Sequence, residues 1–67
     1  MYKAYIFKQG KLIPAFNGSE YSTLEKLNQS VGWFYESKRG DQSTQFLVVL
    51  NDRIVCVIDE NTVKINA

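Results

Sequence analysis

The single cysteine is the side chain with the most chemistry to offer in this chain. Cys56 is the only thiol among the 67 residues, and the chain contains no histidine. The commonest general base is therefore missing, so a nucleophilic site would have to combine Cys56 or a serine with a lysine or a carboxylate. Cys56 lies between valines in the segment RIVCVID, and apolar surroundings raise the pKa of a thiol and leave it inert. We interpret Cys56 as a core residue.

The acidic residues and glycines show no spacing that indicates catalysis. Asp59 and Glu60 are adjacent, so they cannot form a facing pair of carboxylates on one strand. A zinc site would need several carboxylates and one thiol, which is an unusual ligand set. The four glycines are scattered single residues rather than a phosphate-binding loop. We predict that the protein is not an enzyme, binds no metal and needs no cofactor.

The N-terminal segment YKAYIFKQGK alternates aromatic residues with lysines. Aromatic rings that stack on bases, combined with cations that neutralise phosphates, are typical of single-strand nucleic-acid binders. The net charge of the chain is only +1, however, and nucleic-acid binders usually carry a clustered excess of basic residues. We keep nucleic-acid binding by this hairpin as the alternative function.

The composition, together with the lack of a recognisable targeting signal, predicts a soluble, cytoplasmic protein that folds as one α+β domain over residues 1–67. Hydrophobic residues make up 45% of the chain, and no stretch is long or apolar enough for a secretory signal or a membrane span. The tripeptide Arg39-Gly40-Asp41 needs an extracellular setting to act as an adhesion ligand, so we interpret it as a turn. A domain this small is marginally stable without disulfides or metals, which favours association with a partner.

The local patterns predict the order β-β-α-β-β-β. YKAYIFK and LIPAF form a hairpin with a three-residue loop at 8–10, and the Ser22-x-x-Glu25 spacing of a capping box starts a helix. TQFLVVL, RIVCVID and TVKIN are three antiparallel strands, the first two joined by a turn at Asn51-Asp52. Gly32 ends the helix after Val31, and the aromatic residues after it favour a strand at 33–37. A helix that continues to Arg39 is the alternative.

Side-chain alternation divides each hairpin into two faces. The predicted registers place two charge-free sets together under the helix as the core: Tyr2, Ala4, Ile6, Leu12, Pro14 and Phe16, with Leu47, Val49, Ile54, Cys56 and Ile58. The opposite face holds Lys3, Tyr5, Phe7, Lys11, Ile13 and Ala15, with Phe46, Val48, Leu50, Arg53, Val55, Val57 and Asp59. One short helix covers only one face of a sheet, so this second, mostly apolar face is predicted to stay uncovered.

An exposed apolar patch with a charged rim usually marks a protein interface. We therefore predict a small non-enzymatic protein-interaction module, of the kind found among inhibitors, antitoxins and virus-encoded modulators of host proteins, which binds a protein partner or forms a homodimer. The predicted partner-binding residues are Tyr5, Phe7, Phe46, Val48, Val55, Val57, Lys3, Lys11 and Arg53. Closure of the sheet into a barrel, a longer helix and different registers are the alternatives to this interpretation.

Overall fold

A computed structural model describes residues 1–66, including the side chains of residues 1–63, and shows an α+β fold. The elements are β1 (Tyr2–Lys8), β2 (Lys11–Pro14), α1 (Leu24–Ser37), β3 (Phe46–Leu50), β4 (Arg53–Ile58) and α2 (Glu60–Asn66). The strands form one antiparallel sheet in the order β2-β1-β3-β4. The predicted class, a helix on an antiparallel sheet, is confirmed, and the first five elements follow the predicted order. The sheet is open, because β2 and β4 lie at opposite edges.

Helix α1 runs six residues beyond the predicted end at Val31. Thr23, rather than the predicted Ser22, caps its N-terminus, with Thr23 Oγ1 accepting a hydrogen bond from the Lys26 backbone N–H at 3.2 Å. Leu27, Val31 and Tyr35 are its buried residues, and their spacing of four places them on one side of the helix. The predicted strand at 33–37 is therefore wrong: burial of Tyr35 on the same side as Leu27 outweighs the weak helix propensity of the glycine and the aromatic residues.

The last predicted strand, TVKIN, is also wrong, because residues 60–66 form the helix α2. Asp59 accepts hydrogen bonds at its Oδ1 from the Thr62 backbone N–H at 2.7 Å and from the Thr62 hydroxyl at 2.8 Å. An aspartate at this position satisfies a backbone donor that the first helical turn leaves unpaired. The β-branched residues in this segment suggested a strand, and the capping aspartate was the signal for a helix.

The first hairpin has a two-residue turn in place of the predicted three-residue loop. Gln9 and Gly10 form this turn with φ values of 52° and 78°, as the type I′ turn of tight hairpins requires. Lys8 therefore lies opposite Lys11, and Phe7 lies opposite Leu12. This shift of one residue exchanges the two faces of β2 relative to β1.

The second hairpin has the predicted turn at Asn51-Asp52, with Leu50 opposite Arg53. Further along, Val48 pairs with Cys56 and Val49 with Ile54, so Val55 is an extra residue on β4. Such a β-bulge reverses the alternation of side chains beyond it. The sequence carries no marker of this bulge, since Val55 lies in a uniform run of β-branched residues.

The core lies between α1 and the face of the sheet that contains Ala4, Phe46 and Val48. Ala4 pairs with Val48, and both side chains are buried on this face. Phe16 stacks on Phe46 with ring centroids 5.3 Å apart, although the Phe16 φ of 54° is strained for a bulky residue. The buried residues are Ala4, Ala15, Leu27, Val31, Tyr35, Phe46, Val48, Ile58 and Val63.

Candidate interaction face

The face of the sheet turned away from α1 carries several exposed apolar side chains. Alternation from the buried Ala4 and Val48 places the intervening residues on this side. We call it the open face and define it by the following residues: Lys3, Tyr5, Phe7, Leu12, Pro14, Leu47, Val49, Ile54 and Val57. Neither helix covers these side chains, because both helices lie on the other side of the sheet.

The pairing arranges the open face in rows across the strands. The central row runs through Pro14, Tyr5, Leu47 and Val57, one residue from each strand. Tyr5 and Leu47 stand on the two inner strands, so they form the centre of the face. Side chains directly opposite each other on neighbouring strands are in contact, and the row is therefore a continuous apolar band across the sheet.

Several large apolar side chains on this face are open to solvent. The exposed fraction is 66% for Phe7, 56% for Ile54, 49% for Leu12 and 47% for Val57. The solvated face of an antiparallel sheet normally carries polar residues at alternate positions. Here Lys3 is the only charged residue of the face. The composition of the open face therefore resembles that of a protein core, although no other element of the chain packs against it.

Lys3 lies at one corner and is already paired. Tyr2 and Tyr21 form a two-way backbone bridge, with N···O distances of 2.7 and 2.8 Å. This bridge brings Glu20 alongside Lys3, and Glu20 Oε1 lies 3.5 Å from Lys3 Nζ. The ion pair is solvent-exposed and adds little to stability, but it leaves the face without an unpaired charge.

The structure brings four of the predicted partner-binding residues together on the open face: Lys3, Tyr5, Phe7 and Val57. Val55 occupies the bulge and is 49% exposed. Phe46 and Val48 were placed wrongly, because the exposed fractions of 2% and 0% make them core residues. Both faces of β3 are apolar in sequence, so composition could not show which one the helix covers.

Lys11 and Arg53 are exposed but do not belong to the open face. Lys11 pairs with Lys8, and Arg53 pairs with Leu50. Because side chains alternate along each strand, both pairs lie on the side of the sheet that faces the helices. Sequence reasoning missed five residues of the face, namely Leu12, Pro14, Leu47, Val49 and Ile54. A two-residue interpretation of the Gln9-Gly10 turn would have recovered Leu12 and Pro14.

On the helix side of the sheet, a groove runs between α1 and α2. The groove between α1 and α2 is lined by charges of both signs, including Glu25, Lys26 and Glu36, and its described lining contains no serine, threonine or cysteine. Cys56 is half-buried against the core. Within residues 1–63 no three histidine, cysteine or acidic side chains cluster closely enough to hold a metal ion.

The two acidic residues with shifted pKa values serve local structure. Hydrogen bonds from the Thr62 backbone N–H and hydroxyl lower the pKa of Asp59. Hydrogen bonds from the Ser43 hydroxyl and backbone N–H likewise lower the pKa of Asp41.

Burial, reinforced by the negative charges of Asp59 and Glu60, raises the pKa of Tyr35 to about 12. Its hydroxyl donates a hydrogen bond to the Thr44 carbonyl, which ties α1 to the loop before β3.

The Arg39-Gly40-Asp41 segment lies in the loop after α1. Lys38 ends the helix in the left-handed conformation, with φ 55°. A Cβ atom at Gly40 would lie 2.6 Å from two ring atoms of Phe34, so this position accommodates only glycine without a shift of the ring. Close packing of Phe34 over the loop accounts for the glycine. The turn itself begins at the end of the segment, where the Thr44 backbone N–H donates a hydrogen bond to the Asp41 carbonyl at 3.1 Å.

The lysines and aromatic residues of the first hairpin lie mostly on different faces. Tyr5 and Phe7 belong to the open face with Lys3, whose charge is paired with Glu20. Lys8 and Lys11 are opposite each other on the other side of the hairpin. Among the side chains of residues 1–63, no unpaired cation lies beside the exposed rings on their own face. This geometry gives the nucleic-acid alternative no support of its own.

Comparison with known proteins gives no family model, curated protein or solved structure that matches this chain significantly. Among the described residues, no helix has the length and apolar character needed to cross a membrane.

Proposed function

We propose that this protein is a non-enzymatic interaction module that binds another protein through the open face. The observation that carries the proposal is the exposure of Phe7, Leu12, Ile54 and Val57 on one side of a sheet whose other side is covered. Contiguous apolar patches larger than a few hundred Å² are rare on monomeric proteins and mark interaction sites. Burial of such a patch contributes about 25 cal/mol for each Å² removed from water.

The layout of the face fits the anatomy of a protein interface. Its centre, Tyr5 and Leu47, is uncharged, and its one ion pair, Lys3 with Glu20, lies at the rim. Interfaces commonly have an apolar centre and a polar rim, with aromatic residues as anchors. Phe7 is the most exposed aromatic side chain of the face, and we assign it as the main anchor.

The biological role that we propose is modulation of a larger protein in the cytoplasm. A small domain that offers one flat apolar face can block or occupy a site on its target without chemistry of its own. Inhibitors, antitoxins and virus-encoded modulators work in this way, and the open face is the feature that supports such a role.

The experiment that tests this function compares two exposed aromatic residues on opposite sides of the molecule. Phe7 on the open face is 66% exposed, and Trp33 on α1 is 62% exposed. The parent chain, Phe7→Glu and Trp33→Glu are immobilised and exposed to nuclease-treated extract of the native cell, and retained proteins are identified by mass spectrometry. We expect a protein retained by the parent and by Trp33→Glu to be lost from Phe7→Glu.

Circular dichroism of the three proteins checks that each variant is folded. Equal retention of the same protein by Phe7→Glu and the parent would contradict a role for the open face. Material that the parent retains from untreated extract but not from nuclease-treated extract, with a steep salt dependence of retention, would instead support the nucleic-acid alternative.

A further inference from the structure

We infer that the open face packs against the open face of a second copy of this chain, which gives a two-fold symmetric homodimer. The inference rests on the proposed function, because it names one occupant of the same face. Four observations carry it: the exposed area of the chain, the structure of the sheet edges, the charge on the face and the size of the core.

The accessible surface of one chain is larger than its mass predicts. The surface is 4945 Å² for a mass of 7.7 kDa. A monomeric globular protein of this mass exposes about 4,300 Å². The accessible surface of this chain is therefore roughly 600 Å² larger than that of a typical monomer of the same mass. A standard interface buries about 800 Å² on each partner. Covering the open face with a second copy would remove an excess of this order.

The edges of the sheet disfavour dimerisation by strand addition. Strand β2 has only four residues and includes Pro14, which has no backbone N–H to donate. Strand β4 is interrupted by the bulge at Val55. Short strands, prolines and bulges are the devices by which proteins prevent edge-to-edge pairing. The open face has no comparable protection, so a second copy would contact side chains of the face rather than an edge.

The charge on the open face allows the face to meet itself. A two-fold interface brings identical patches together, so an unpaired charge near its centre would face its own copy. The one charged residue, Lys3, is at a corner and paired with Glu20 at 3.5 Å. The centre of the open face therefore presents no like charges that would repel a second copy.

The core of one chain is small for a protein without covalent or metal staples. Cys56 is the only cysteine, so no disulfide forms within the chain. Below about 70–80 residues, one hydrophobic core rarely supplies more than about 3–5 kcal/mol of stability, and oligomerisation is one way in which small proteins add to it. Contact between two open faces would add a second apolar layer between the two sheets.

The direct test measures the mass of the purified protein in solution. Light scattering and sedimentation equilibrium should give twice 7.7 kDa for the parent and for Trp33→Glu at micromolar concentrations. Phe7→Glu should raise the dissociation constant at least about 30-fold, as expected for loss of an interface hot spot. High salt should not dissociate the parent dimer, because the contact contains no intermolecular ion pair.

A charge-exchange experiment tests the two-fold arrangement itself. Leu47 stands at the centre of the open face, so the two copies of residue 47 should lie near the symmetry axis. Leu47→Lys and Leu47→Glu should each be monomeric alone, because like charges meet, and an equimolar mixture should form a mixed dimer. If either variant is unfolded by circular dichroism, nuclear Overhauser contacts between labelled and unlabelled parent chains replace this experiment. Contacts from Phe7 or Val57 to the other chain are expected.

The outcomes separate this inference from the proposed function. A parent that remains at 7.7 kDa at millimolar concentration overturns the homodimer, while loss of a captured protein from Phe7→Glu would still support the proposed function. A dimer that neither Phe7→Glu nor the Leu47 variants weaken would overturn the assignment of the interface to the open face. Contacts only from α1 across the two labelled chains would do the same.

Discussion

Gly32 and Gly40 stand only eight positions apart, but their surroundings predict opposite effects of alanine. Gly32 lies inside α1, where an added Cβ would make an ordinary contact with Val63 Cγ1 at 3.5 Å. Glycine in a helix interior is less favourable than alanine by about 1 kcal/mol. At Gly40 the added Cβ would lie 2.6 Å from the Phe34 ring, and overpacking typically costs about 1–3 kcal/mol.

We predict that Gly32→Ala raises the free energy of unfolding by up to about 1 kcal/mol and that Gly40→Ala lowers it by roughly 1–3 kcal/mol. Urea denaturation of the two variants and the parent, followed by far-ultraviolet circular dichroism, measures both changes. Each glycine variant controls for the other, since the chemical change is the same. A lower stability of Gly32→Ala would show that α1 and α2 are packed too tightly at this position to accept a methyl group.

At the scale of the elements, the first hairpin turn decides which residues of β2 join the open face. Gln9 adopts φ 52° and Gly10 adopts φ 78°. Asparagine is favoured at the first position of such a turn, whereas most residues are strained there by about 1–2 kcal/mol. Glutamine is tolerated because the pairs Phe7 with Leu12 and Ile6 with Ile13 hold the register.

We predict that Gln9→Asn stabilises the protein by roughly 0.5 kcal/mol, because asparagine offsets part of the cost of the left-handed conformation. Thermal denaturation checks the change, and Gln9→Ala serves as a control that should give no stabilisation. A three-residue loop at 8–10 would remove the requirement for two positive φ values. If Gln9→Asn and Gln9→Ala had equal stability, this type I′ geometry would be contradicted.

At the scale of the whole molecule, folding and association should be coupled. If the open face is covered only in the dimer, unfolding releases two chains, and the equilibrium depends on protein concentration. We predict that the melting temperature of the parent rises with concentration over a range of micromolar to millimolar. The melting temperature of Phe7→Glu should be independent of concentration over the same range.

Trp33→Glu is the matched control for this measurement, since Trp33 is as exposed as Phe7 but lies on α1. Its melting temperature should depend on concentration as that of the parent does. A parent whose melting temperature stays constant over the whole range would show that the monomer is the folding unit.

The sequence alone predicted the features that depend on neighbouring residues. Local propensity and alternation predicted the α+β class, the two hairpins, the start of a helix near Ser22 and the Asn51-Asp52 turn. They also predicted that Cys56 lies on the side of the sheet that faces the core. The sequence also predicted that one apolar face would stay uncovered, because a single helix covers only one side of a sheet. Four of the residues that it placed there, Lys3, Tyr5, Phe7 and Val57, are on the open face.

Tertiary structure decided the features that depend on small differences between alternatives. Both faces of β3 are apolar, and the pairing of Ala4 with Val48 beneath α1 determines which one is buried. A one-residue change in the Gln9-Gly10 turn and the bulge at Val55 then reassign the faces of β2 and β4. Because side chains alternate with a period of two, each single-residue shift exchanges an entire face. Local sequence limits the alternatives, and packing of the helix on the sheet selects among them.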